Sequence, residues 1–331
     1  MNEQEFWKNR GFGVFYASNS EAFYMLAVSL LSLRDAHQKY SNPTEGKLGV
    51  CVMHSNLTPQ EIKELTDLFD GSLDFWFLDL SDSYNDLHAN TMIGKESFYR
   101  LSVPDLTPIG KSSIYLDTDT LVLGDISQLV VPDELGEGIG AVPETNVASL
   151  VKLGVRLPEV FDNLKIEEYL RDALSLESDQ YIQAGVLVFR NVNLLMRAQI
   201  SLARQLSSEH FFWMDDQTIL SKVLGGNFYR LEPAWNIQVG DRLNRNRIQT
   251  LKGVHVLHYS GLFRPWRILF HGSFRIYSEY EILLPPVIRK RRPSGSFYEK
   301  VVNQAGLAGY RSLPAGLRRL VWKMWTGKKY V

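Results

Sequence analysis

Cysteine and long apolar runs are both scarce in this sequence. Cys51 is the only cysteine among 331 residues, so no disulfide can form within the chain, and a reducing cytosol is the simplest compartment. We expect this thiol to be an unreactive core residue, because it lies in the apolar segment 49–53. The longest apolar stretch, around residues 23–33, falls short of the ~18–20 residues that a membrane-spanning helix requires. The polar N-terminal residues lack the layout of a signal peptide.

Two common phosphate-binding motifs are absent. No G-x-G-x-x-G follows the first predicted strand, which excludes the dinucleotide fingerprint, and no G-x-x-x-x-G-K-[ST] occurs, which excludes a P-loop. The formal net charge is −1 at pH 7, which argues against bulk nucleic-acid binding, and no internal repeat is visible. The apolar content of 45% is enough for the core of one large α/β domain or two ordinary ones.

Charge is distributed unevenly along the chain. Residues 286–331 contain 11 lysines and arginines and one acid, Glu299, so the remaining residues carry a net charge of −11. The composition changes at Pro285-Pro286. This asymmetry predicts an acidic catalytic domain over residues 1–284 and a basic extension over residues 285–331.

Short apolar runs alternate with segments of helical periodicity, which predicts an α/β fold with a mainly parallel central sheet. One helix start has three agreeing signals, since Thr58 can cap it, Pro59 suits its first position and Glu61 completes a capping box. In such sheets, ligands bind at the carboxyl ends of the strands. The predicted strands are 11–17, 47–54, 73–80, 114–116, 121–123, 139–142 and 184–189, and the predicted helices are 20–38, 58–70, 94–103, 192–206 and one that begins at residue 215.

Two carboxylates, Asp117 and Asp119, follow the apolar strand 114–116 directly. Burying an unpaired carboxylate is costly, so we expect a cation to meet them. Oxygen ligands at a strand end suit a hard divalent ion, and an ion that also binds a diphosphate can support nucleotide-dependent transfer chemistry. The motif alone is also compatible with two solvated carboxylates in a turn.

Four segments, in this order, resemble glycosyltransferase family 8, a group that includes bacterial lipopolysaccharide galactosyl- and glucosyltransferases and glycogenin. The resemblance covers roughly residues 12–267, and its most specific part is the pattern H-x-x-G-x-x-[KR]-P-W downstream of Asp-x-Asp. The segments are Tyr115-Leu116-Asp117-Thr118-Asp119, Gln183-Ala184-Gly185-Val186, Asp216-Gln217 with Ile219-Leu220, and His258-Tyr259-Ser260-Gly261-x-x-Arg264-Pro265-Trp266.

The chain departs from the family pattern at four places. Gln183 replaces the usual Asn, Arg264 replaces the usual Lys, and Thr218 replaces the second Asp of Asp-Gln-Asp. The loop after the first strand, commonly Asp-x-Asn-Tyr, reads Ala-Ser-Asn-Ser-Glu-Ala over residues 17–22. This last departure bears on which nucleotide base is bound.

The resemblance implies a Rossmann-like fold of the GT-A type, a UDP-sugar donor, Mn²⁺ with Mg²⁺ as an alternative, and transfer of a hexose, galactose or glucose, with retention of configuration. It implies that Asp117, Asp119 and His258 bind the metal, and an imidazole among carboxylates favours Mn²⁺. It assigns Glu144, Asp216 and Gln217 to catalysis, and we expect the two carboxylates to bind sugar hydroxyls. The residues that it assigns to binding of the donor and its diphosphate are Ala17, Asn19, Arg100, Asp117, Thr118, Asp119, Gln183, Ala184, Gly185, Gly261 and Arg264.

The amide of Gln217 is too weak a nucleophile to make a covalent intermediate attractive. We therefore favour a displacement on one face of the sugar, in which a UDP oxygen helps to deprotonate the acceptor. The segment 211–213, Phe-Phe-Trp, favours a core position over a platform for sugar binding. The sequence does not name the acceptor, the linkage or the oligomeric state.

Two other functions fit part of the sequence. A haloacid-dehalogenase-type phosphatase would use Asp117 as nucleophile and Asp119 as general acid, but that motif normally opens its domain and leaves residues 258–266 unexplained. A nucleotide-sugar-binding protein without turnover would bind UDP with Mn²⁺ but release none from a UDP-sugar.

The basic extension contains a segment, residues 315–326, in which apolar and basic side chains fall on opposite sides of a helix. Such a helix lies on a membrane surface, and the cluster 289–292 (Arg-Lys-Arg-Arg) adds attraction to anionic lipid. This predicts a peripheral protein on the cytoplasmic face of the membrane with a glycan or glycolipid acceptor. The alternative is a helix packed on the catalytic domain, its cations matched to the acidic body.

Overall fold

A large mixed sheet forms the centre of the molecule. The computed structural model describes residues 1–41, 46–87, 94–130, 138–240, 248, 250–261, 264–267, 273–293 and 300. Seven strands lie in the order β3-β2-β1-β4-β7-β6-β8. They are β1 (Phe12–Ser18), β2 (Leu48–His54), β3 (Leu73–Asp79), β4 (Ser112–Leu116), β6 (Gly138–Pro143), β7 (Ile182–Arg190) and β8 (Tyr229–Arg230).

Four of the six neighbouring pairs in this sheet are parallel, and β7 is antiparallel to both β4 and β6. The predicted α/β class with a mainly parallel sheet is thus confirmed. A smaller sheet has the order β5-β10-β9. Its strands are β5 (Thr120–Val122), β9 (Ile237–Gln238) and β10 (Val256–His258).

Helices cover the large sheet. The described α-helices are α1 (Glu3–Trp7), α2 (Phe23–Tyr40), α3 (Pro59–Leu68), α4 (Thr145–Lys152), α5 (Ile166–Glu168), α6 (Leu194–Glu209), α7 (Asp215–Leu224), α8 (Phe274–Glu281) and α9 (Pro286–Arg289). Tighter or wider helical turns occur at Lys95–Ser102, Ile126–Leu129, Glu159–Phe161 and Pro233–Trp235, which are 3₁₀, and at Tyr169–Leu174, which is a π-helix.

The order of the strands creates a switch point between β1 and β4. The chain runs outward from β1 through β2 to β3, and then returns to place β4 on the other side of β1, in parallel, with Tyr16 beside Leu116. The loops that leave β1 and β4 at their carboxyl ends therefore diverge from one crevice. Open α/β sheets bind ligands at this position.

Two apolar layers enclose the sheet, and alternation along the strands explains them. Successive side chains of β1 and β4 point to opposite faces, so Val14 and Ile114 join one cluster while Phe15 and Tyr115 join the other. All seven residues of β2 are buried, including Cys51, so the predicted core position of this thiol is confirmed. Phe212 and Trp213 are also buried in the core, as expected.

Helix α3 begins as the sequence predicts. The backbone N–H of Glu61 donates to Thr58 Oγ1 at 3.2 Å, and the N–H of Thr58 donates to Glu61 Oε2 at 2.8 Å, which completes the capping box. The predicted helix over residues 94–103 is a 3₁₀ helix that starts after Gly94, whose φ of 80° a residue with a side chain rarely adopts.

Packing on the body continues past the predicted boundary at residue 284. Ile288 on α9 is fully buried within the larger core cluster, so the start of the basic extension is part of the compact unit. The predicted amphipathic helix over residues 315–326 lies outside the described residues. Among the helices that the structure does describe, none has the length and hydropathy to cross a membrane.

Candidate active site

The Asp-x-Asp segment forms a tight turn between the two sheets. β4 ends at Leu116 and β5 starts at Thr120, whose hydroxyl donates to the carbonyl of Asp117 at 2.8 Å. The backbone N–H of Asp117 donates to the carbonyl of Gly185 on β7 at 2.8 Å. These bonds hold the turn at the carboxyl end of β4, beside the switch point.

His258 reaches the same place from the smaller sheet. It ends β10, where it pairs with Thr120 in antiparallel register. Its Nε2 lies 3.1 Å from Asp119 Oδ1 and 3.7 Å from Asp117 Oδ2. One ligand atom from each of these three residues lies within 4.8 Å of the others, and no other such group of metal-ligating side chains occurs in the described parts of the chain. The three predicted metal ligands thus come together.

The imidazole of His258 is oriented by a chain of amides. Its Nδ1 lies 3.0 Å from Asn236 Oδ1, while Asn236 Nδ2 donates to Gln183 Oε1, which also accepts from the N–H of Gly185 at 2.6 Å. Because the amide nitrogen of Asn236 faces Gln183, its oxygen faces Nδ1, which must be the donor. Nε2 is therefore aimed at the carboxylates, as an ordered metal ligand requires.

Gly185 leaves the room that this arrangement needs. A Cβ at this position would lie 2.3 Å from His258 Cε1 and 2.9 Å from Asp117 Oδ2, closer than real Cβ contacts. A side chain would therefore push apart two of the three ligands. Carboxylates and an imidazole around this space form a donor set that fits a divalent transition metal.

Charges at the cluster oppose the cost of burial. Burial raises the pKa of Asp119, but Arg264 and His258 outweigh it, and the pKa of this carboxyl lies well below its usual range. For His258 burial lowers the pKa, and the carboxylates of Asp119 and Asp117 raise it by more. Arg264 and His258 thus favour the ionised form of Asp119, and the two carboxylates favour the protonated form of His258.

Arg264 holds the second oxygen of Asp119. Its Nη2 and Nε lie 2.6 and 3.0 Å from Asp119 Oδ2. The sequence predicts contacts from this guanidinium to diphosphate oxygens. The structure places it against the carboxylate of Asp119, one of the three predicted metal ligands.

Arg100 organises the other side of the cluster. Its guanidinium lies over the ring of Tyr115, with 4.6 Å from Cζ to the ring centroid, and its Nη2 donates to Asp117 Oδ1 at 3.0 Å. The hydroxyl of Tyr115 donates to the same oxygen at 2.9 Å, and Nη1 donates to the carbonyl of Ala184. These bonds occupy Oδ1 and leave Asp117 Oδ2 directed toward His258.

Asp216 and Gln217 in the first turn of α7 carry unsatisfied polar atoms. Arg100 Nε lies 2.9 Å from Asp216 Oδ2, but its hydrogen is donated to the carbonyl of Ser97 at 2.8 Å. Asp216 Oδ2 and Gln217 Nε2 are both buried without a hydrogen-bond partner among the described residues. Burial raises the pKa of Asp216 to about 6, with Arg100 opposing. Buried polar groups are nearly always hydrogen-bonded, so each of these two atoms calls for an explanation.

Glu144, a predicted site residue, caps helix α4. Its Oε1 accepts from the N–H of Asn146 at 2.9 Å, and Gln238 Nε2 lies 2.8 and 2.7 Å from its two oxygens. Burial raises the pKa of Glu144, opposed by these donors. Gln238 pairs with His258 across β9 and β10, so Glu144 is linked to the cluster. Its predicted contact with sugar hydroxyls stays a prediction.

The remaining predicted residues lie around this crevice. Ala17 is the second-last residue of β1, and Asn19 is the first residue after that strand. The side-chain oxygen Oδ1 of Asn19 accepts a hydrogen bond from the backbone N–H of Ala22 at 2.9 Å. Thr118 is half-buried between the two carboxylates, and Gly261 has a φ of 63°, which favours glycine. The N–H of Ala184 donates to Gln217 Oε1 at 3.1 Å, so the segment 183–185 supports the neighbouring site residues.

Three residues of the site were not predicted from the sequence. Tyr115 could have been found, because it lies two positions before Asp117 and so shares a strand face with it. Asn236 directly precedes the two-residue strand β9 and Gln238 ends it, and nothing local marks either residue. Their role depends on the pairing of β9 with β10.

Comparison with known proteins agrees with this geometry. The model of the family described as "Glycosyl transferase family 8" matches residues 13–269. The chain belongs to glycosyl transferase family 8. This membership favours a glycosyltransferase over the phosphatase that the Asp-x-Asp motif also allowed.

Curated relatives match different shares of the chain. General stress protein A of Bacillus subtilis (strain 168) is 25% identical over an alignment of 242 residues that covers 67% of this chain and 77% of that protein. Glycosyltransferase 8 domain-containing protein 1 of Xenopus laevis is 29% identical over 194 residues, about half of each chain (51% and 51%).

Solved structures show the same GT-A-like fold. The galactosyltransferase LgtC, solved in complex with donor and acceptor sugar analogues, has a TM-score of 0.62 at 20% identity over 84% of this chain and 99% of that chain. The bifunctional glycosyltransferase WbbM has a TM-score of 0.69 at 19% identity over 86% of this chain and 52% of that chain. The chain thus spans about half the length of WbbM.

Proposed function

We propose that this protein is a retaining, Mn²⁺-dependent glycosyltransferase that moves a hexose, galactose or glucose, from a UDP-sugar to a hydroxyl of a glycan or glycolipid. The observation that carries the proposal is the convergence of Asp117, Asp119 and His258 at the switch point of a parallel sheet. A ligand at such a point is expected on general grounds, and the family supplies the class of reaction.

Asp117 Oδ2, Asp119 Oδ1 and His258 Nε2 would hold the metal. A divalent ion held there would supply positive charge to stabilise the negative charge that develops on the leaving UDP. Arg100 and Tyr115 fix Asp117 by its other oxygen, and Asn236 fixes His258 by its other nitrogen. The protein therefore presents the ligand atoms in a preorganised arrangement.

Arg264 has a second task beyond neutralising Asp119. Its two bonds to Asp119 Oδ2 use only part of the N–H groups of the guanidinium. The planar fork can therefore reach a phosphate oxygen while it stays near the carboxylate, which a lysine ammonium does less well. This arrangement supports a role for Arg264 in holding the diphosphate.

Asp216 and Gln217 are suited to hydrogen-bond the hydroxyls of the donor sugar. An unsatisfied carboxylate oxygen beside an unsatisfied amide N–H offers an acceptor and a donor, the pair that sugar hydroxyls need. Both atoms are closed to solvent in the structure, so their side chains have to move when the donor binds. The contact would recover the cost of leaving two buried groups unpaired.

The chain's own groups favour transfer on one face of the sugar. Gln217 carries an amide and Asp216 is held beside Arg100, so neither is a free nucleophile at the anomeric carbon. We propose that these residues orient the sugar while the departing diphosphate oxygen accepts the proton of the acceptor hydroxyl. The configuration at the anomeric carbon is then retained.

The acceptor side of the proposal includes a membrane. Residues 315–326 suit attachment to an anionic membrane surface on the cytoplasmic side, where a lipid-linked acceptor would lie. The cluster 289–292 contributes less than the sequence suggests. Three of its four side chains, Arg289, Arg291 and Arg292, contact acidic or carbonyl groups of the body.

A screen of UDP-sugars for slow donor hydrolysis tests the function. We expect UDP release from UDP-galactose or UDP-glucose with Mn²⁺ and none with excess chelator. Asp119→Ala should abolish it, and Asp67→Ala, which removes an exposed carboxylate of α3, should not. UDP binding without release from any UDP-sugar would leave a nucleotide-sugar-binding protein, and cleavage of an aryl phosphate instead would favour the phosphatase.

A further inference from the structure

The segment that follows the family-matched region packs back onto the body and forms a brace, residues 286–292. Ile288 is fully buried in the core, and Arg289 donates to the carbonyl of Leu284 at 2.8 Å, which closes the turn. The family model ends at residue 269, so the brace lies outside the matched region.

Arg291 of the brace contacts side chains of both α2 and α3. Its Nη1 lies 2.6 Å from Glu61 Oε1, its Nη2 lies 3.2 Å from Glu64 Oε1, and its Cζ lies 4.8 Å from the centroid of the Phe23 ring. The side chain of Glu61 is only 6% exposed. Arg291 is therefore the counter-charge of a buried carboxylate, and removal of such a partner is strongly destabilising locally.

The second oxygen of Glu61 faces the loop after β1. Ser20 Oγ lies 2.9 Å from Glu61 Oε2 and 2.8 Å from the carbonyl of Asn56, so its single proton is shared between them. The N–H of Ser20 donates to Asn56 Oδ1 at 2.8 Å. Through Glu61, the brace is thus one side chain away from Ser20.

This loop, residues 17–22, leaves β1 at the switch point, beside the carboxyl end of β4 that carries Asp117. It ends where α2 begins, at Phe23, the residue whose ring lies under Arg291. Arg291 therefore contacts the carboxylate that binds the middle of the loop and the aromatic ring at its end.

We infer that Arg291, acting through Glu61, positions the loop 17–22 for the nucleotide part of the donor. Arg291 is a positioning residue, since it touches the loop through Glu61 and Phe23 and lies outside the metal cluster. The link between the loop and donor binding rests on the proposed function. The mechanical link between Arg291 and the loop rests on the contacts alone.

Arg291→Gln tests the inference against a matched control, Arg292→Gln. Both substitutions remove one guanidinium from the same segment, but Arg292 pairs with Glu281 on α8, 3.0 Å away, and not with Glu61. We expect hydrogen exchange of the backbone amides of residues 20–22 to accelerate by about tenfold or more in Arg291→Gln, and to stay unchanged in Arg292→Gln. Full-length protein without metal or nucleotide is used.

Kinetics supply the functional readout. The KM for the UDP-sugar in donor hydrolysis should rise about 5–20-fold in Arg291→Gln with kcat changed less than twofold, because a loop that must be ordered weakens binding without touching the reacting atoms. Arg291→Lys should restore part of the loss. Ser20→Ala should raise KM in a similar way, and adding Arg291→Gln to it should have little further effect.

Two results would overturn the inference. One is equal exchange at residues 20–22 in the two glutamine variants, and the other is a fall in kcat without a rise in KM. If Arg291→Gln does not fold, Glu61→Gln replaces it, since this change keeps the size of the side chain and removes the buried charge. If the wild type turns over no UDP-sugar, the proposed function fails, while the exchange comparison still decides whether Arg291 holds the loop.

Discussion

His258 Nε2 lies 3.1 Å from Asp119 Oδ1. His258 ends β10 of the smaller sheet, whereas Asp119 lies in the turn that joins β4 of the larger sheet to β5 of the smaller one. Thr120 pairs with His258, which places the imidazole next to Asp119 by strand register alone. The contact unites the Asp-x-Asp motif with the H-x-x-G-x-x-[KR]-P-W motif. It also leaves Asp119 between His258 on one carboxylate oxygen and Arg264 on the other.

Arg264→Gln should separate metal binding from nucleotide binding. The substitution removes a cation that competes with a metal for Asp119, so we expect the affinity for Mn²⁺ alone to increase about 3–10-fold. The affinity for UDP in saturating Mn²⁺ should fall by a similar factor or more, because a phosphate contact is lost. Titration of free Mn²⁺ by electron paramagnetic resonance and calorimetry with UDP measure the two effects. A change in the same direction for both ligands would contradict the double role of Arg264.

Asp216→Asn should lower activity and raise stability at neutral pH. Burial raises the pKa of Asp216 to about 6 from an ordinary value of 3.8. At a pH between these two pKa values, the folded state therefore binds more protons than the unfolded state. The free energy of unfolding of the wild type therefore falls as pH rises through this range, a cost that the asparagine variant does not have. We expect Asp216→Asn to be more stable by about 1–3 kcal/mol at pH 7.5.

Urea unfolding of both proteins at pH 4.5 and pH 7.5 measures this difference. The difference in free energy of unfolding between the two proteins should be small at pH 4.5, where Asp216 is protonated in the folded state. A variant that is less stable than the wild type at pH 7.5 would mean that the interaction of Asp216 with Arg100 outweighs the cost of burial. Activity should fall at least as far as in Gln217→Ala, since a charge and an acceptor for sugar hydroxyls are lost.

Gln217→Ala should slow transfer without abolishing it. The loss of a polar group that orients the sugar is expected to reduce kcat on the order of 10–10³-fold, far less than the loss of a nucleophile. The product should keep the α configuration of the donor in both proteins. NMR of the anomeric proton checks this, and an inverted product would exclude the proposed displacement on one face.

The basic extension should be removable after Pro293 but not after Leu284. A chain that ends at Pro293 keeps Ile288 and Arg291 in place, so fold and donor hydrolysis should be preserved while binding to anionic vesicles is lost. A chain that ends at Leu284 exposes the core site of Ile288, whose burial is worth about 1.5–3 kcal/mol, and should melt at lower temperature. Vesicle sedimentation and thermal melting separate the two. Sedimentation that persists without residues 294–331 would place the membrane contact elsewhere.

Local patterns were enough to predict β1 to β7 but not the short strands β8, β9 and β10. The family resemblance, and not local periodicity, assigned Asp117, Asp119 and His258 to one metal site. β2 and β4 are continuous apolar runs, and Asp117, Asp119 and His258 lie in recognisable motifs. Helix α4 and the turns near residues 166–174 were not predicted, because their sequences are mixed and their helicity depends on packing.

The long-range contacts of the site are what sequence periodicity cannot supply. Asn236 orients His258 because β9 pairs with β10, and Arg291 meets Glu61 because α9 packs on the core. Each contact joins side chains that are far apart along the chain and have no motif of their own. The family resemblance ends before residue 291, so it gives no sign of the second contact.

Metal-dependent binding of UDP tests the central claim most directly. UDP should raise the melting temperature of the wild type only when Mn²⁺ or a similar ion is present, because a ligand that binds the folded state stabilises it by mass action. Asp119→Ala should remove this shift and Asp67→Ala should keep it, with both variants folded. Equal stabilisation by UDP in excess chelator, or a full shift in Asp119→Ala, would contradict a metal site formed by Asp117, Asp119 and His258.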